Sequence, residues 1–171
     1  MIPNQIQTVN INICQGDSLL LESIYQTVSG NYYDTLVATS GCDSIIETVL
    51  IVYPIPATPN VNDTIVCLID GNPILITNEL GNISWYYDSL GITLLSTGTT
   101  YTPNITAAGE YNYYIQTTIN GCSSELGIVT VNVNNPIAEI LSDPISPVGA
   151  SPLSIDFSDI GSGAINYAWD F

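Results

Sequence analysis

The stretch Gly109-Glu110-Tyr111-Asn112-Tyr113-Tyr114-Ile115-Gln116-Thr117-Thr118-Ile119-Asn120-Gly121-Cys122-Ser123-Ser124 constrains this chain more than any other. Its mixture of aromatic, β-branched and polar residues suits a half-buried pleated strand that runs into a glycine turn and stops at a cysteine. A second copy comes earlier, as Gly30-Asn31-Tyr32-Tyr33-Asp34-Thr35-Leu36 followed by Gly41-Cys42-Asp43-Ser44. The glycine and tyrosine of Gly-x-Tyr are offset by 79 residues and the cysteines by 80, so the copies differ by one inserted residue. Self-similarity at such a period marks an array of modules.

The rest of the chain divides around these copies. In residues 1–54, Val9, Ile11 and Ile13 alternate with Asn10 and Asn12, as in a half-buried strand. Leu19-Leu20-Leu21, the stretch from Gly30 to Thr39, and Ser44 to Tyr53 complete a small β-module. Pro54, Pro56 and Pro59 then form a stiff linker, since proline fixes φ and lacks the donor a central strand needs. In residues 55–135, strands are expected at 63–68, 74–77, 83–87, 93–96, 110–118 and 127–133. Turn signals such as Asp70-Gly71-Asn72-Pro73 and Asn120-Gly121 separate them, and short strands at this spacing argue a β-sandwich. Asn134-Asn135-Pro136 is a second linker. Residues 136–171 offer Ile137, Ile140, Leu153, Ile155, Phe157, Tyr167, Trp169 and Phe171 as core, too little for an independent fold. The close at Ala168-Trp169-Asp170-Phe171 reads as mid-strand, so further chain is expected. The fold class is all-β: sandwich modules in a row, the last one incomplete.

The residue inventory narrows function. Among 171 residues there are 16 acids and no Lys, Arg or His. Phosphate and nucleic-acid recognition rest on Lys and Arg, so a chain at −16 has no nucleic acid as partner. Without His or Lys there is no Ser-His or Cys-His pair, no imidazole metal ligand and no Schiff base. No enzyme activity, cofactor or metal is expected. No stretch approaches the roughly 20 apolar residues of a membrane span, and Met1-Ile2-Pro3-Asn4 is not a signal peptide.

Four cysteines, Cys14, Cys42, Cys67 and Cys122, allow three pairings. Their spacing matches no zinc pattern. The repeat favours Cys14–Cys42 and Cys67–Cys122, each tying an early strand to the turn after a Gly-x-Tyr strand. Disulfides imply an oxidising, extracellular compartment. Trp85 could be an aromatic platform for sugar, but its place in Ile83-Ser84-Trp85-Tyr86-Tyr87 fits a core tryptophan near the second bridge. Asp156, Asp159 and Asp170 could meet around calcium, though solvated turn carboxylates explain them equally simply.

Several of these residues carry a resemblance. Cys67, Ser84-Trp85-Tyr86, Thr97-Gly98-Thr99-Thr100-Tyr101-Thr102-Pro103, Ala108-Gly109-Glu110-Tyr111 and Asn120-Gly121-Cys122-Ser123-Ser124 resemble the immunoglobulin-like repeats of giant secreted adhesins in Bacteroidota. Ile13-Cys14-Gln15-Gly16-Asp17-Ser18, Gly30-Asn31-Tyr32 and Gly41-Cys42-Asp43-Ser44 are similar to companion repeats of the same proteins. Pro144, Gly149, Pro152-Leu153, Phe157-Ser158, Gly161, Tyr167 and Trp169-Asp170-Phe171 resemble the opening half of a PKD domain.

The resemblance implies a structural and adhesive cell-surface filament, often exported by the type IX pathway and linked to gliding motility. Its partners would be neighbouring repeats of the same chain and surface polysaccharide or other adhesive targets. The alternative is a carbohydrate-binding accessory region of a secreted hydrolase. Asp17-Ser18-Leu19, Asp34-Thr35-Leu36, Asp43-Ser44-Ile45, Asp63-Thr64-Ile65 and Asp88-Ser89-Leu90 are similar to the Asp-(Ser/Thr)-apolar acceptor of O-glycosylation in that phylum. Ser18, Thr35, Ser44, Thr64 and Ser89 are therefore glycosylation candidates. The plainer explanation is strand entry, with a turn carboxylate ahead of an apolar strand residue.

Overall fold

The computed structural model describes residues 5–36, 44–137, 140–143 and 156–163. Its first sheet follows from the alternation of Val9, Ile11 and Ile13. These residues lie on β1 (Gln5–Cys14) beside Thr48, Leu50 and Val52 of the parallel strand β5, Ser44–Tyr53. Between the two in sequence come a hairpin, β2 (Leu19–Leu21) with β3 (Ile24–Gln26), and β4 (Gly30–Leu36). β4 pairs antiparallel with β5, so the sheet order is β1-β5-β4. Thr48 and Leu50 are its buried residues, and Leu21 of the hairpin is buried as well. The hairpin turn, Glu22-Ser23, has positive φ at both residues, the backbone that matches strand twist in a two-residue loop.

The second, larger sheet has the order β6-β13-β11-β8-β9. It contains β6 (Thr64–Cys67), β8 (Asn82–Tyr86), β9 (Leu94–Thr97), β11 (Gly109–Ile119) and β13 (Gly127–Asn134). β12 (Cys122–Ser123) folds back on β11. A 3₁₀ turn, Leu68–Asp70, follows β6, and β7 (Leu75–Ile76) pairs with β10 (Thr100–Tyr101) as a short second layer. Alternate residues of β13, Val129, Val131 and Val133, face inward beside Tyr113 and Ile115 of β11 and Ile83 and Trp85 of β8. Leu75, Ile105 and Val61 close the core from the other side. Trp85 is 0% exposed, donates Nε1–H to the Gly98 carbonyl at 2.8 Å, and has the Tyr101 ring 5.7 Å away. It is the core tryptophan of this sandwich and cannot serve as a sugar platform.

The repeated Gly-x-Tyr has a structural meaning that the sequence did not disclose. Tyr32 donates its hydroxyl to the Val28 carbonyl at 2.8 Å, and Tyr111 donates to the Ala107 carbonyl at 3.0 Å. Each ring lies against its own glycine, where a Cβ would sit 3.6 to 3.8 Å from ring atoms. Both are tyrosine corners, which fasten the entry of a strand to the chain four residues upstream.

Beyond Asn134, β14 (Ile140–Asp143) pairs antiparallel with β15 (Asp156–Asp159), and Ile137 bridges Ser162. Ile137 is exposed. Leu153, Ile155, Tyr167, Trp169, Phe171 and Asp170 lie outside the described residues. The chain is all-β, as expected. Five strands were not expected from the sequence: Ile24–Gln26, Thr100–Tyr101, Cys122–Ser123, Ile140–Asp143 and Asp156–Asp159.

Candidate functional site: a disulfide-closed joint

The joint between the two sheets is built from two turns. Asn120 and Gly121 both have positive φ, the Asn-Gly hairpin turn that sets Cys122 directly opposite Ile119. Ser124 locks this hairpin, its N–H donating to the Thr117 carbonyl while its hydroxyl accepts from the Thr117 N–H. Cys122 is thereby held 1% exposed. On the other side β1 ends at Cys14. There the Asp17 carboxylate accepts the Cys14 N–H at 3.2 Å, and the Asp17 N–H donates to the Cys14 carbonyl at 2.9 Å.

Cys14 and Cys122 form a disulfide with Cα atoms 5.5 Å apart, across a sequence separation of 108. This corrects the pairing read from the repeat. Cys67 lies beside Asn134 on β6, whereas Val133 faces Gly109 at the start of β11 and Cys122 faces Ile119 at its end. About eleven strand residues, ~35 Å, therefore separate Cys67 from Cys122. A disulfide needs Cα atoms within roughly 7 Å. Cys67 is a free, half-buried thiol. Cys42 lies outside the described residues, and with Cys14 bonded to Cys122 the pair Cys14–Cys42 does not form. The repeat placed two cysteines in equivalent turns, but the bridge follows from which turns meet in space.

The main chain crosses the same joint. The Gln15 N–H donates to the Tyr53 carbonyl, so β1 and β5 end together. The linker beyond Tyr53 is seated: Pro59 is buried and Val61 belongs to the core of the larger sheet. Gly127 makes room for it, since a Cβ there would lie 2.2 Å from the Pro59 carbonyl oxygen and 3.2 Å from Ile115 Cγ2. Backbone on one side and packed core on the other leave neither neighbour free to yield. Gly127→Ala is expected to cost about 1–3 kcal/mol, the range of overpacking. Urea unfolding of the variant checks this, and an unchanged midpoint would mean that the linker is not held there.

The glycosylation candidates scatter over the surface. Ser18, Thr35, Ser44 and Ser89 are exposed and Thr64 is half-buried. Their preceding aspartates have structural work. Asp17 accepts from Cys14 N–H, Asp34 from Glu22 N–H, Asp63 from Thr130 N–H, and Asp88 from the N–H groups of Leu90, Ile92 and Thr93. Asp43 lies outside the described residues. Turn and strand-entry capping thus accounts for four of the five aspartates. The three hydrogen bonds, Thr93 foremost, hold the Asp88 carboxyl at about 2.

Burial pushes the Tyr113 hydroxyl up to about 12, with the neighbouring Tyr101, Tyr111 and Tyr87 adding to the effect. Its stabilising contribution is complete below the ordinary tyrosine value near 10 and is lost as pH rises through about 12. Asp88 acts in the opposite sense: its contribution is present above about 4 and is lost as pH falls through about 2. Between these limits, with no histidine, stability should be nearly flat from about pH 5.5 to 8. Thermal midpoints against pH test this, and a slope within that window would contradict it.

With this geometry in place, the chain can be set beside known families. Residues 56–136 match the family model of an Ig-like domain, CHU_C associated. That span starts within the proline linker and covers the whole larger sheet and its core. No curated protein matches the chain. The match supports an Ig-like repeat protein, and an Ig-like sandwich is typically a structural, non-catalytic module of extracellular proteins. The Cys14–Cys122 disulfide fits an oxidising, extracellular setting. No helix among the described residues is long and apolar enough to cross a membrane.

Proposed function

We propose that this chain is a structural and adhesive segment of a long extracellular cell-surface protein, exported by the type IX pathway and associated with gliding. The observation that carries the reading is the joint: an Ig-like module bonded to its neighbour by both backbone and disulfide. Such a connection suits modules that must keep a fixed mutual placement outside the cell. Residues 1–54, 55–135 and 136–171 are the units of the array, the third being the opening part of a PKD-like domain. The partners are neighbouring repeats of the same protein and surface polysaccharide, with no nucleic acid and no membrane insertion. The chain carries no catalytic role of its own. Trp85 offers the accessory-domain alternative no sugar platform, because it is buried.

Glycans on the exposed hydroxyls of Ser18, Thr35, Ser44 or Ser89 would add hydration to a surface that is poor in charge. Deleting residues 5–136 in frame from the gene of the native source tests the reading. Loss of surface attachment with normal growth is expected, and normal attachment would sink it. Intact mass of the native protein decides the glycans, since a bare polypeptide mass excludes them.

A further inference from the structure

The two edges of the first sheet are treated differently. At β4, the Tyr33 N–H donates to Glu22 Oε1 at 2.8 Å, and the Glu22 N–H donates to Asp34 Oδ1 at 3.0 Å, so the β2–β3 turn caps that edge. At β1, the outer edge has no backbone partner among the described residues. β1 is ten residues long and contains no charged residue and no proline. Edges that are meant to stay free are usually guarded by one or the other.

The sequence of β1 states which strand fits there. Ile6-Gln7-Thr8-Val9-Asn10-Ile11 repeats Ile46-Glu47-Thr48-Val49-Leu50-Ile51 of β5 at an offset of 40, with Ile, Thr, Val and Ile identical. β5 carries β4 antiparallel on its edge, with Tyr32 opposite Thr48 and Gly30 opposite Leu50. We propose that the free edge of β1 docks a strand of the β4 type, Gly-x-Tyr-Tyr-Asp-Thr-Leu, from another unit of the same kind joined ahead of β1. The incoming strand runs antiparallel, with its first tyrosine opposite Thr8. A second copy of the chain does not supply it, because β4 in each copy is already held between β5 and the Glu22 turn. This rests on the reading of the chain as one stretch of a repeat array.

The register also fixes the face. The copies are offset by 40, but the β1–β5 ladder pairs residues 39 apart, Thr8 with Glu47. A shift of one residue turns equivalent side chains to opposite faces of a sheet. Thr48 and Leu50 are on the buried side, whereas Thr8 lies with Glu47, Asn31 and Tyr33, joined by side-chain hydrogen bonds of 2.9 to 3.0 Å. That second face leaves Ile6 61%, Tyr33 50% and Ile51 37% exposed. The hairpin of the incoming unit therefore covers the face that the hairpin of this unit leaves open.

The test is hydrogen exchange on the full chain extended ahead of Gln5 by a second copy of residues 15–44. The control extension has its β4 segment scrambled. Tethering raises the effective concentration to millimolar, so alternate amides of β1 should exchange at least roughly tenfold more slowly with the native extension alone. Oxidative footprinting of Tyr33 should fall at the same time. Unchanged β1 exchange, equal slowing by the scrambled copy, or protection without loss of the Tyr33 footprint would each overturn the proposal. So would self-association of the unextended chain through β1. If the extension disturbs folding, a peptide spanning residues 28–38, added to the natural chain at millimolar concentration, gives the same readout. Slowing then supports the docking and none overturns it. Attachment measured on the deletion strain bears on the adhesive role and not on this contact.

Discussion

Removal of the Cys14–Cys122 bridge is expected to be among the most destabilising changes this chain can undergo. The bond closes a loop of 108 residues, and restricting an unfolded chain by a loop of that size corresponds to about 5 kcal/mol on the chain-entropy account. Small proteins have about 5–15 kcal/mol in total, so a third or more is at stake. Cys122 is also buried, so the replacement Cys14→Ser with Cys122→Ser leaves a hydroxyl where sulfur packed. The guanidinium midpoint should fall well below that of the oxidised protein, and reductant should have the same effect on the natural chain. Chymotryptic peptides separated without reductant should contain residues 14 and 122 in one species. A bridge from Cys122 to Cys67, or a midpoint indifferent to reductant, would refute the joint as described. Trypsin is of no use here, because the chain contains neither Lys nor Arg.

Trp85→Ala should be the most damaging single substitution in the larger sheet. The indole is fully buried beside Ile115, and the Tyr101 ring stands at a tilt of 31° to it. Truncating it would open a cavity and leave the Gly98 carbonyl without its Nε1–H donor. Losses of this kind cost about 3–5 kcal/mol. Trp85→Phe retains most of the apolar volume and should lose less, mainly the hydrogen bond, worth about 1 kcal/mol. Urea unfolding followed by circular dichroism separates the two. Equal losses would show that the hydrogen bond, rather than the packing, holds the site.

Much of this architecture could be read from the residues. Residue pattern placed β5, β11 and β13 to within a residue, the alternation of Val9, Ile11 and Ile13 caught only the second half of β1, and Asn120-Gly121 announced the hairpin that sets Cys122. What pairs with what could not be read. β1 lies parallel to β5, and β6 parallel to β13, yet alternation records only which face of a strand is apolar and not which neighbour it meets. The same limit misplaced the disulfide: Cys42 and Cys122 occupy equivalent turns in the sequence repeat, but only Cys122 is bonded to Cys14. The five Asp-(Ser/Thr) pairs drew attention to their hydroxyls, whereas in four of them the carboxylate has a backbone partner. The tyrosine corners were legible as a repeat but not as hydrogen bonds, because a hydroxyl reaching back four residues leaves no trace in spacing.

The position of the bridge also decides how the molecule responds to being pulled. A load applied to the chain ahead of Cys14 and beyond Cys122 runs down β1, crosses the sulfur atoms, and leaves through β12 and β13. The residues between the cysteines, which are 108 positions apart, lie off that path. Even complete unfolding of the enclosed sheets could not lengthen the tether by the roughly 370 Å that those residues would otherwise release. Of the Ig-like core only β13 then lies on the loaded path; the strands enclosed by the bridge are spared the tension, and extension under load is limited to what β1 and β13 can release.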